Sequence, residues 1–319
     1  MTDLILTLNA GSSSVKFALF EKAVEPLLVL KGQVDGIGAD AWLKVKRADG
    51  TVAVEHDLDE GKIRTPSDAL NAIMDVLDEL GMAANVIAVG HRGVHGGATF
   101  EGPVLLDDDV LKTLEALTPF APLHQPHNLA GIAAAQAAFP GVPQIACFDT
   151  AFHRSHPWVN DTFALPREFY NKGVRRFGFH GLSYEYISHK LDEIAPFYQD
   201  GNVVVAHLGN GASMCAIRDG QSVGSTMGFS ALDGLPMGTR CGQLDPGVVL
   251  YLMDQMDMSA DEIEHMLYRE SGLKGLSGLS GDMRVLEASD TQEAAQALDY
   301  FVFRCRREIG ALTGVLEGL

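Results

Sequence analysis

The amino-acid sequence predicts an α/β protein built from two related lobes, residues 1–150 and 151–319. Its 319 residues exceed the usual size of one domain. Two stretches about 200 residues apart share one design, an apolar strand, a Gly-rich turn with serine and a returning strand: residues 4–20 and 202–218. Internal repetition at this scale is typical of a duplicated domain, with both turns facing one cleft. An accidental likeness is the competing interpretation.

The composition narrows the function classes. A hydrophobic content of 46% supports sizeable cores, and a net charge of -18 argues against broad nucleic-acid binding, which needs a basic surface. No apolar run reaches the ~18 residues that cross a bilayer, and no basic segment precedes the first apolar run. We therefore expect a cytoplasmic protein that binds neither nucleic acid nor membranes. The four cysteines are widely spaced without a CxxC pair, which predicts reduced thiols.

In the first lobe the elements follow from apolar spacing and turn residues. Val15, Phe17 and Leu19 alternate with more polar neighbours, as in a strand. The helix after Pro66 is predicted to begin with Ser67 as its cap and to stop at Gly81. The predicted elements of this lobe are strands 4–8, 15–20, 86–89 and 144–148, with helices after 66, at 108–117 and at 127–138.

In the second lobe the hairpin 202–218 is followed by three predicted helices, at 246–257, 260–270 and 292–317. The last is amphipathic and runs almost to the final residue. We therefore expect that the C-terminal part of the second lobe is missing from this chain.

Both hairpin turns have the composition of an anion-binding loop. Backbone N–H groups in tight Gly/Ser turns converge on one concavity. In "LNAGSSSVKF" the neutral hydrogen-bonding groups come from Asn9, Ser12 and Ser14, and Lys16 adds a positive charge. Neither GxxxxGK[ST] nor GxGxxG occurs there, so a Walker A loop and a dinucleotide fingerprint do not fit. Alone the loop reads as an ordinary turn, but together with "HLGNGAS" it favours phosphates held between two lobes.

Two arginines in Gly-rich surroundings suggest an anionic substrate. Arg92 lies in "GHRGVHGG" and Arg240 in "LPMGTRCGQ". A guanidinium forks onto carboxylate or phosphate, although a structural salt bridge is an equal alternative for either residue alone. Asp149 ends a predicted strand, where carboxylates commonly meet ligand, and a helix cap is the alternative. Asp282 and Arg284 either contact a nucleotide or cap the next turn.

Closely spaced histidines raise a zinc-hydrolase interpretation. The pairs are His91 with His95, His124 with His127, and His153 with His156. Zinc hydrolases carry such pairs on helices, commonly as HExxH. Glycines surround the first pair, Pro126 interrupts the second, and no HExxH occurs, so this interpretation ranks below the anion-binding one.

Taken together, the ordered motifs resemble the acetate kinase family, within the acetate/propionate/butyrate kinase group. They run from residue 4 to residue 284: "LNAGSSSVKFALF", "GHRGVHGG", "PLHQPHN", "FDTAFH", "RRFGFHG", "HLGNGAS", "MGFSALDGLPMGTRCGQLDPG" and "SGDMR". The resemblance implies the duplicated, ribonuclease H-like fold shared by actin, sugar kinases and chaperone ATPases. It also implies a first lobe with the carboxylate site and a second lobe that binds nucleotide.

The resemblance implies a role for individual positions. The catalytic positions are Arg92, Asp149, His180 and Arg240. The nucleotide positions are Lys16, Ser12, Ser14, His207, Leu208, Gly209, Asn210, Gly211, Asp282, Met283 and Arg284. Arg92 binds the substrate carboxylate, and the rest of the substrate site is Val94, Leu123, His124 and Phe179. Asn9 is associated with Mg²⁺ (or Mn²⁺).

The implied reaction is reversible, Mg²⁺-dependent, in-line phosphoryl transfer from ATP to acetate, by a homodimer. Three departures qualify it. Ala231 stands where proline is frequent beside the acyl pocket, so propionate or another short-chain carboxylate is an alternative substrate. Cys241 and Gln243 replace frequent serine and aspartate. The family's later adenine-binding segment and magnesium-associated glutamate are absent from these 319 residues, so a catalytically impaired nucleotide-binding fragment is the alternative of another class.

Overall fold

The computed structural model describes residues 2–11, 13–58, 61–121, 124–198 and 201–319, without the side chain of residue 192. The chain divides into two compact units, Met1–Ala151 (unit 1) and Phe152–Leu319 (unit 2). Ser12 and Leu123, two predicted site residues, lie outside the described residues.

Unit 1 contains an eight-stranded sheet in the order β5-β4-β3-β2-β1-β6-β8-β7. Strands β1 to β5 pair antiparallel in succession, whereas β6 runs parallel to both β1 and β8. The strands are β1 (Leu4–Ala10), β2 (Ser14–Glu21), β3 (Leu27–Asp35), β4 (Trp42–Arg47), β5 (Val52–Asp57), β6 (Val86–Gly93), β7 (Val104–Leu105) and β8 (Gln144–Phe148). The helices are α1 (Pro66–Glu79), α2 (Asp108–Ala116) and α3 (Gln125–Ala138), with short 3₁₀ turns at 83–85 and 118–120.

The first hairpin forms as the alternation predicts. Val15, Phe17 and Leu19 are buried, while Lys16 between them is exposed. Leu6 and Leu8 of β1 join them in the core of unit 1. Strand β1 continues to Ala10 and β2 begins at Ser14, so the connecting loop is shorter than predicted.

Helix α1 begins differently from the prediction. Thr65, not Ser67, is its cap: the Asp68 N–H donates to Thr65 Oγ1, and the Thr65 N–H donates back to Asp68 Oδ2. This reciprocal pair satisfies two backbone donors, which Ser67, already inside the first turn, has no geometry to do. The predicted stop is confirmed, since Gly81 has a left-handed φ of 68° just beyond the helix.

Unit 2 contains a three-stranded antiparallel sheet in the order β11-β10-β9. Its strands are β9 (Asn202–Leu208), β10 (Ala212–Arg218) and β11 (Gln221–Ser225). Its helices are α4 (Trp158–Asp161), α5 (Arg167–Asn171), α6 (Gly181–Ile194), α7 (Pro246–Gln255), α8 (Ala260–His265), α9 (Gly272–Ser277), α10 (Met283–Glu287) and α11 (Gln292–Val315), with 3₁₀ turns at 151–155 and 196–198. The second hairpin is therefore confirmed as strand, turn and strand.

The predicted helix 260–270 is in fact two segments. Helix α8 ends at His265, and Met266–Glu270 form a turn of π-helix. The loop at 239–241 explains the change, because Thr239 Oγ1 donates to the carbonyl of Tyr268 and the Cys241 N–H donates to that of Leu267. A neighbouring loop thus satisfies carbonyls that a regular α-helix would bond internally. Within the described residues, no helix combines the length and apolar character needed to cross a bilayer.

Candidate active site

In unit 1 three predicted site residues form one hydrogen-bonded cluster. Arg92 Nε and Nη2 donate to the two carboxylate oxygens of Asp149, at 3.0 and 2.5 Å. Arg92 Nη1 donates to Asn9 Oδ1 at 3.3 Å. Asn9 and Arg92 lie near the carboxyl ends of β1 and β6, and Asp149 follows β8 directly. Because these three strands are parallel neighbours, their ends meet at one edge of the sheet, where α/β proteins bind ligands.

The burial of this cluster is uneven. The Asp149 side chain is 3% exposed, whereas that of Arg92 is 36% exposed. Burial lowers the pKa of Arg92, but the Asp149 carboxylate opposes this and the net pKa is raised, so the guanidinium stays charged. The structural salt bridge weighed for Arg92 therefore exists. Among the described residues, the Asp149 carboxylate accepts from Arg92 and not from a backbone N–H, which does not support the helix-cap alternative. A buried carboxylate holds an arginine that still reaches solvent.

The neighbouring positions complete the unit 1 edge. Lys16 is the cross-strand partner of Asn9, so both side chains lie on the same face of the β1–β2 hairpin. Asn128, which sequence reasoning missed, accepts from the Val94 N–H and donates to the Ala10 carbonyl. It thereby joins the end of β1 to the predicted acyl-pocket loop. His124 is the residue before helix α3, and Ser14 is the first residue of β2.

In unit 2 His180 is held in a conformation that most residues avoid. Its φ is 59°, in the left-handed region, at the start of helix α6. Gly178 precedes it with a φ of 70°, and a Cβ there would come 2.6 Å or closer to the ring of His153. His153 Nε2 in turn donates to the carbonyl of Phe179, at 2.9 Å. The "RRFGFHG" loop is thus fixed against a buried histidine.

The ring of His180 has two defined neighbours. Its Nδ1 lies 2.8 Å from Ser213 Oγ, and the ring stacks on His207 with 4.2 Å between centroids. His207 Nδ1 is itself 2.9 Å from Ser183 Oγ. Two histidines that the sequence places 27 residues apart therefore form one stacked pair beside the second glycine loop.

Arg240 is held by a backbone carbonyl and by an aromatic ring of unit 2. Its Nη1 donates to the carbonyl of Ala231 at 3.3 Å, and its guanidinium carbon lies 6.0 Å from the centroid of the Tyr268 ring. Burial lowers the pKa of Arg240, and Tyr268 opposes that shift. Tyr268 belongs to the π-helical turn, and sequence periodicity gave no signal for it.

Three glycines bring the loops of unit 2 together. A Cβ on Gly211 would stand 3.3 Å from His180 Nε2 and 3.9 Å from Arg240 Nη1. A Cβ on Gly238 would stand 2.5 Å from Asn210 Oδ1, and one on Gly281 would stand 2.6 Å from the carbonyl of Gly238. The loops at 207–211, 237–240 and 280–282 therefore lie side by side, and a Cβ on Gly238 or Gly281 would clash with the neighbouring loop.

The segment 282–284 has the geometry of a cap. Asp282 precedes α10 and accepts from the Arg284 N–H at 2.9 Å, and its carboxylate pairs with the Arg284 guanidinium. Contact with a nucleotide stays a prediction for these residues, as it does for Met283, Leu208 and Gly209.

Magnesium fits the unit 1 edge as an ion that arrives with phosphates. Mg²⁺ commonly keeps its waters and takes only one or two protein oxygens besides those of the nucleotide. Asn9 Oδ1 and the Asp149 carboxylate are such oxygens, adjacent through Arg92. The described residues hold no cluster of three or more His, Cys, Asp or Glu side chains arranged around a cation.

The similarity to known proteins defines the class of this protein, which is that of the phosphotransferases. The model of the acetokinase family matches residues 4–319, and the chain belongs to this family, whose phosphoryl acceptor is a carboxyl group. This confirms the resemblance drawn from the ordered motifs.

Individual relatives agree. An acetate kinase of Methylocella silvestris is 57% identical over 100% of this chain and 81% of its own length. One of Rhodopseudomonas palustris is 51% identical with the same coverage. Among solved structures, the acetate kinase of Porphyromonas gingivalis has a TM-score of 0.89 at 35% identity, with 99% of this chain and 81% of that chain covered. A propionate kinase from Francisella tularensis has a TM-score of 0.91 at 36% identity, with 98% and 80% covered. The chain thus spans about four-fifths of the length of these relatives.

Proposed function

We propose that this chain transfers the γ-phosphoryl group of ATP reversibly and directly to acetate, giving acetyl phosphate and ADP. The observation that carries the proposal is the convergence of His180 Nε2, Arg240 Nη1 and the Gly211 backbone in unit 2. A transferred phosphoryl group is stabilised by a ring that donates a hydrogen bond, a fixed positive charge and a backbone that can approach closely. Family membership and relatives named acetate kinase support the same reaction.

The reaction depends on neutralising negative charge more than on a general base. The acetate carboxylate is already ionised near neutral pH, so its oxygen attacks the γ-phosphorus without losing a proton. The obstacle is to bring one anion to another and to align them in line. Arg92 supplies the charge that binds the carboxylate, and Arg240 with His180 stabilises the phosphoryl oxygens. Magnesium, bound as part of the nucleotide substrate, neutralises the remaining phosphate charge.

Asp149 serves this chemistry through orientation. Both of its oxygens already accept from Arg92, which makes it a poor candidate for removing a proton. Its carboxylate fixes the direction of the guanidinium, and together with Asn9 it would hold a magnesium ion that arrives with the nucleotide. Contact with the nucleotide phosphates is proposed for Lys16 and the first loop in unit 1, and separately for the second glycine loop in unit 2.

The acyl group that we propose is acetate. The curated relatives at 40–57% identity carry the name acetate kinase, which favours acetate. Among the solved structures, a propionate kinase at 36% identity and an acetate kinase at 35% resemble this chain equally. Val94 is half-buried and Phe179 is buried, and both lie at positions proposed to contact the acyl methyl group. Activity measured over a series of carboxylates tests the choice: propionate turned over faster than acetate would contradict it.

For the setting of the enzyme we propose a cytoplasmic homodimer without nucleic-acid or membrane partners. The net charge of -18 supports the absence of a nucleic-acid partner, and the family resemblance supports the dimer. Light scattering on the purified chain tests the dimer, which a monomeric mass would contradict.

The test of the reaction is acetate-dependent acyl phosphate formation, trapped as hydroxamate. We expect Arg92→Ala and Arg240→Ala each to lower kcat/KM by at least about 10²-fold, because each removes a fixed charge from the reacting anions. Arg47→Ala in unit 1 and Arg306→Ala in unit 2 are matched controls, since both arginines are exposed. Rates near those of the parent in both site variants would sink the proposal, as would ATP binding without any acetate-dependent turnover.

A further inference from the structure

Behind the ring of His180 lies a short chain of buried hydroxyl groups. Ser213 Oγ lies 2.8 Å from His180 Nδ1 and 2.5 Å from the hydroxyl oxygen of Tyr184. Ser213 is the second residue of β10, and Tyr184 is one turn beyond His180 in α6. Tyr184 and Ser213 are both 0% exposed, so their hydrogen bonds have to be made within the protein.

The protons of this chain can be assigned by counting donors and acceptors. Burial raises the pKa of Tyr184, and hydrogen bonding with Ser213 and with the backbone of His207 offsets only part of the rise, so the phenol keeps its proton. In the part of the chain that the structure describes, Ser213 Oγ is the side-chain acceptor within reach of that proton. Ser213 therefore accepts from Tyr184, and its own proton points to its other neighbour, His180 Nδ1.

We infer that Ser213 and Tyr184 are positioning residues that keep the proton of the neutral His180 ring on Nε2. A ring nitrogen that accepts a hydrogen bond carries no proton, so the other nitrogen of a neutral imidazole does. Nε2 is also the atom that faces the glycine loop, 3.3 Å from where a Cβ of Gly211 would stand. The inference rests on the proposed function, in which this N–H donates to the transferred phosphoryl group.

If the hydrogen bonds of this chain ran in the reverse direction, one hydroxyl proton would have no acceptor. If His180 Nδ1–H donated to Ser213, the serine would donate to Tyr184, and the phenol proton would then lose its acceptor. A buried hydroxyl without an acceptor forfeits a hydrogen bond that it makes in water.

The first test observes the ring nitrogens directly. In ¹⁵N-histidine-labelled protein at pH 7.5, with His180 assigned from its absence in His180→Gln, we expect a protonated Nε2 and an unprotonated Nδ1. Ser213→Ala should move both shifts toward the average of two tautomers. Ser188→Ala is the matched control. Ser188 is a buried serine of helix α6, which also carries Tyr184, and it donates to the Gly220 carbonyl. A parent ring protonated on Nδ1 would overturn the inference.

The second test separates positioning from a merely structural role. We expect Ser213→Ala to lower kcat for acyl phosphate formation by about tenfold or more, short of the ~10²–10³ for losing an oxyanion donor, with KM values for ATP and acetate within about twofold. Ser213→Thr, which keeps the hydroxyl, should recover most of kcat, and Tyr184→Phe should give a smaller loss.

A double-mutant cycle completes the design. If Ser213 acts through His180, the cost of Ser213→Ala should vanish in a His180→Ala background. An equal cost in both backgrounds would overturn the inference. If the parent forms no acyl phosphate, the proposed function fails, and the ring-nitrogen experiment alone decides on the tautomer.

Discussion

Arg92 combines two demands that usually conflict. It is held from behind by Asp149 through two hydrogen bonds, and it keeps about a third of its side chain exposed to a ligand. A bidentate pair restricts the planar guanidinium to one orientation, so an incoming carboxylate meets an arginine whose conformational entropy is already lost. Asn9 Oδ1 accepts from Arg92 Nη1 and completes the restraint on the guanidinium.

This arrangement predicts the effect of Asp149→Asn, which keeps the shape of the side chain and removes its charge. The half-buried guanidinium then lacks its counter-charge, so we expect the free energy of unfolding to fall by about 1–3 kcal/mol, below the range for a fully buried pair. The KM for acetate should rise and kcat should fall together, by about 10²-fold in kcat/KM.

The stability change is measured by urea unfolding in a Trp158→Phe background, which isolates the signal of Trp42, the tryptophan of unit 1. Asp3→Asn is the matched control, because its ion pair with Lys22 is exposed on both sides. Unchanged acetate affinity in Asp149→Asn would show that Arg92 does not depend on this carboxylate for its orientation.

Among the elements, helix α1 offers a clean comparison between the predicted and the observed cap. Thr65→Ala removes the side chain that the Asp68 N–H donates to, so we expect a loss of about 1 kcal/mol in the free energy of unfolding. Ser67→Ala, at the residue that the sequence favoured, should cost less than about 0.5 kcal/mol. Urea midpoints compare the two variants, and equal losses would mean that the reciprocal pair contributes nothing of its own.

The elements that the sequence predicted correctly are those specified by local pattern. Alternation from Val15 to Leu19 is enough to define a strand with one buried face, and the glycine turns at 11 and 209–211 close both hairpins. The motifs were sufficient to identify the family, because eight of them occur in the family's order.

The features that escaped prediction depend on contacts between distant residues. The π-helical turn at 266–270 exists because the loop at 239–241 bonds to its carbonyls, which no local propensity encodes. The Ser213–Tyr184 contact joins a strand to a helix 29 residues away. The left-handed φ of His180 accompanies the contacts of its loop with His153. Histidine is enriched in this region, but only a small share of histidines adopt it, so the residue type alone does not predict it.

At the scale of the whole molecule, the buried His153 and the half-buried His156 make stability depend on pH. Burial lowers the pKa of His153 to about 4, assisted by the nearby charge of Arg154. Burial also lowers the pKa of His156 to about 2, with further lowering from His153 and Arg154. Both rings are therefore neutral in the folded protein across the range where unfolded histidine, with its pKa near 6.5, becomes charged.

The sign follows from proton binding. Below about pH 6.5 the unfolded chain binds protons that the folded chain refuses, so the free energy of unfolding falls as the pH falls. Between pH 7.5 and 5.5 the two histidines together should cost about 3 kcal/mol. Urea unfolding of a Trp42→Phe protein isolates the signal of Trp158, the tryptophan of unit 2, at the two pH values.

Substitutions test whether the two histidines cause this pH dependence of stability. His156→Gln should remove about half of the pH dependence, whereas His189→Gln, at an exposed position of α6, should leave it intact. A His156→Gln protein with the full pH dependence of the parent would assign the effect to other groups.

The division of the chain also orders events in time. Unit 1 is one uninterrupted stretch, and the two hydrophobic clusters described for it draw only on residues up to 151. At the ~5–20 residues per second of protein synthesis, adding residues 152–319 takes roughly 10–30 s. Strand pairing of this kind takes milliseconds to seconds. The Arg92–Asp149 pair therefore has time to form before the last residues of unit 2 have been added to the chain.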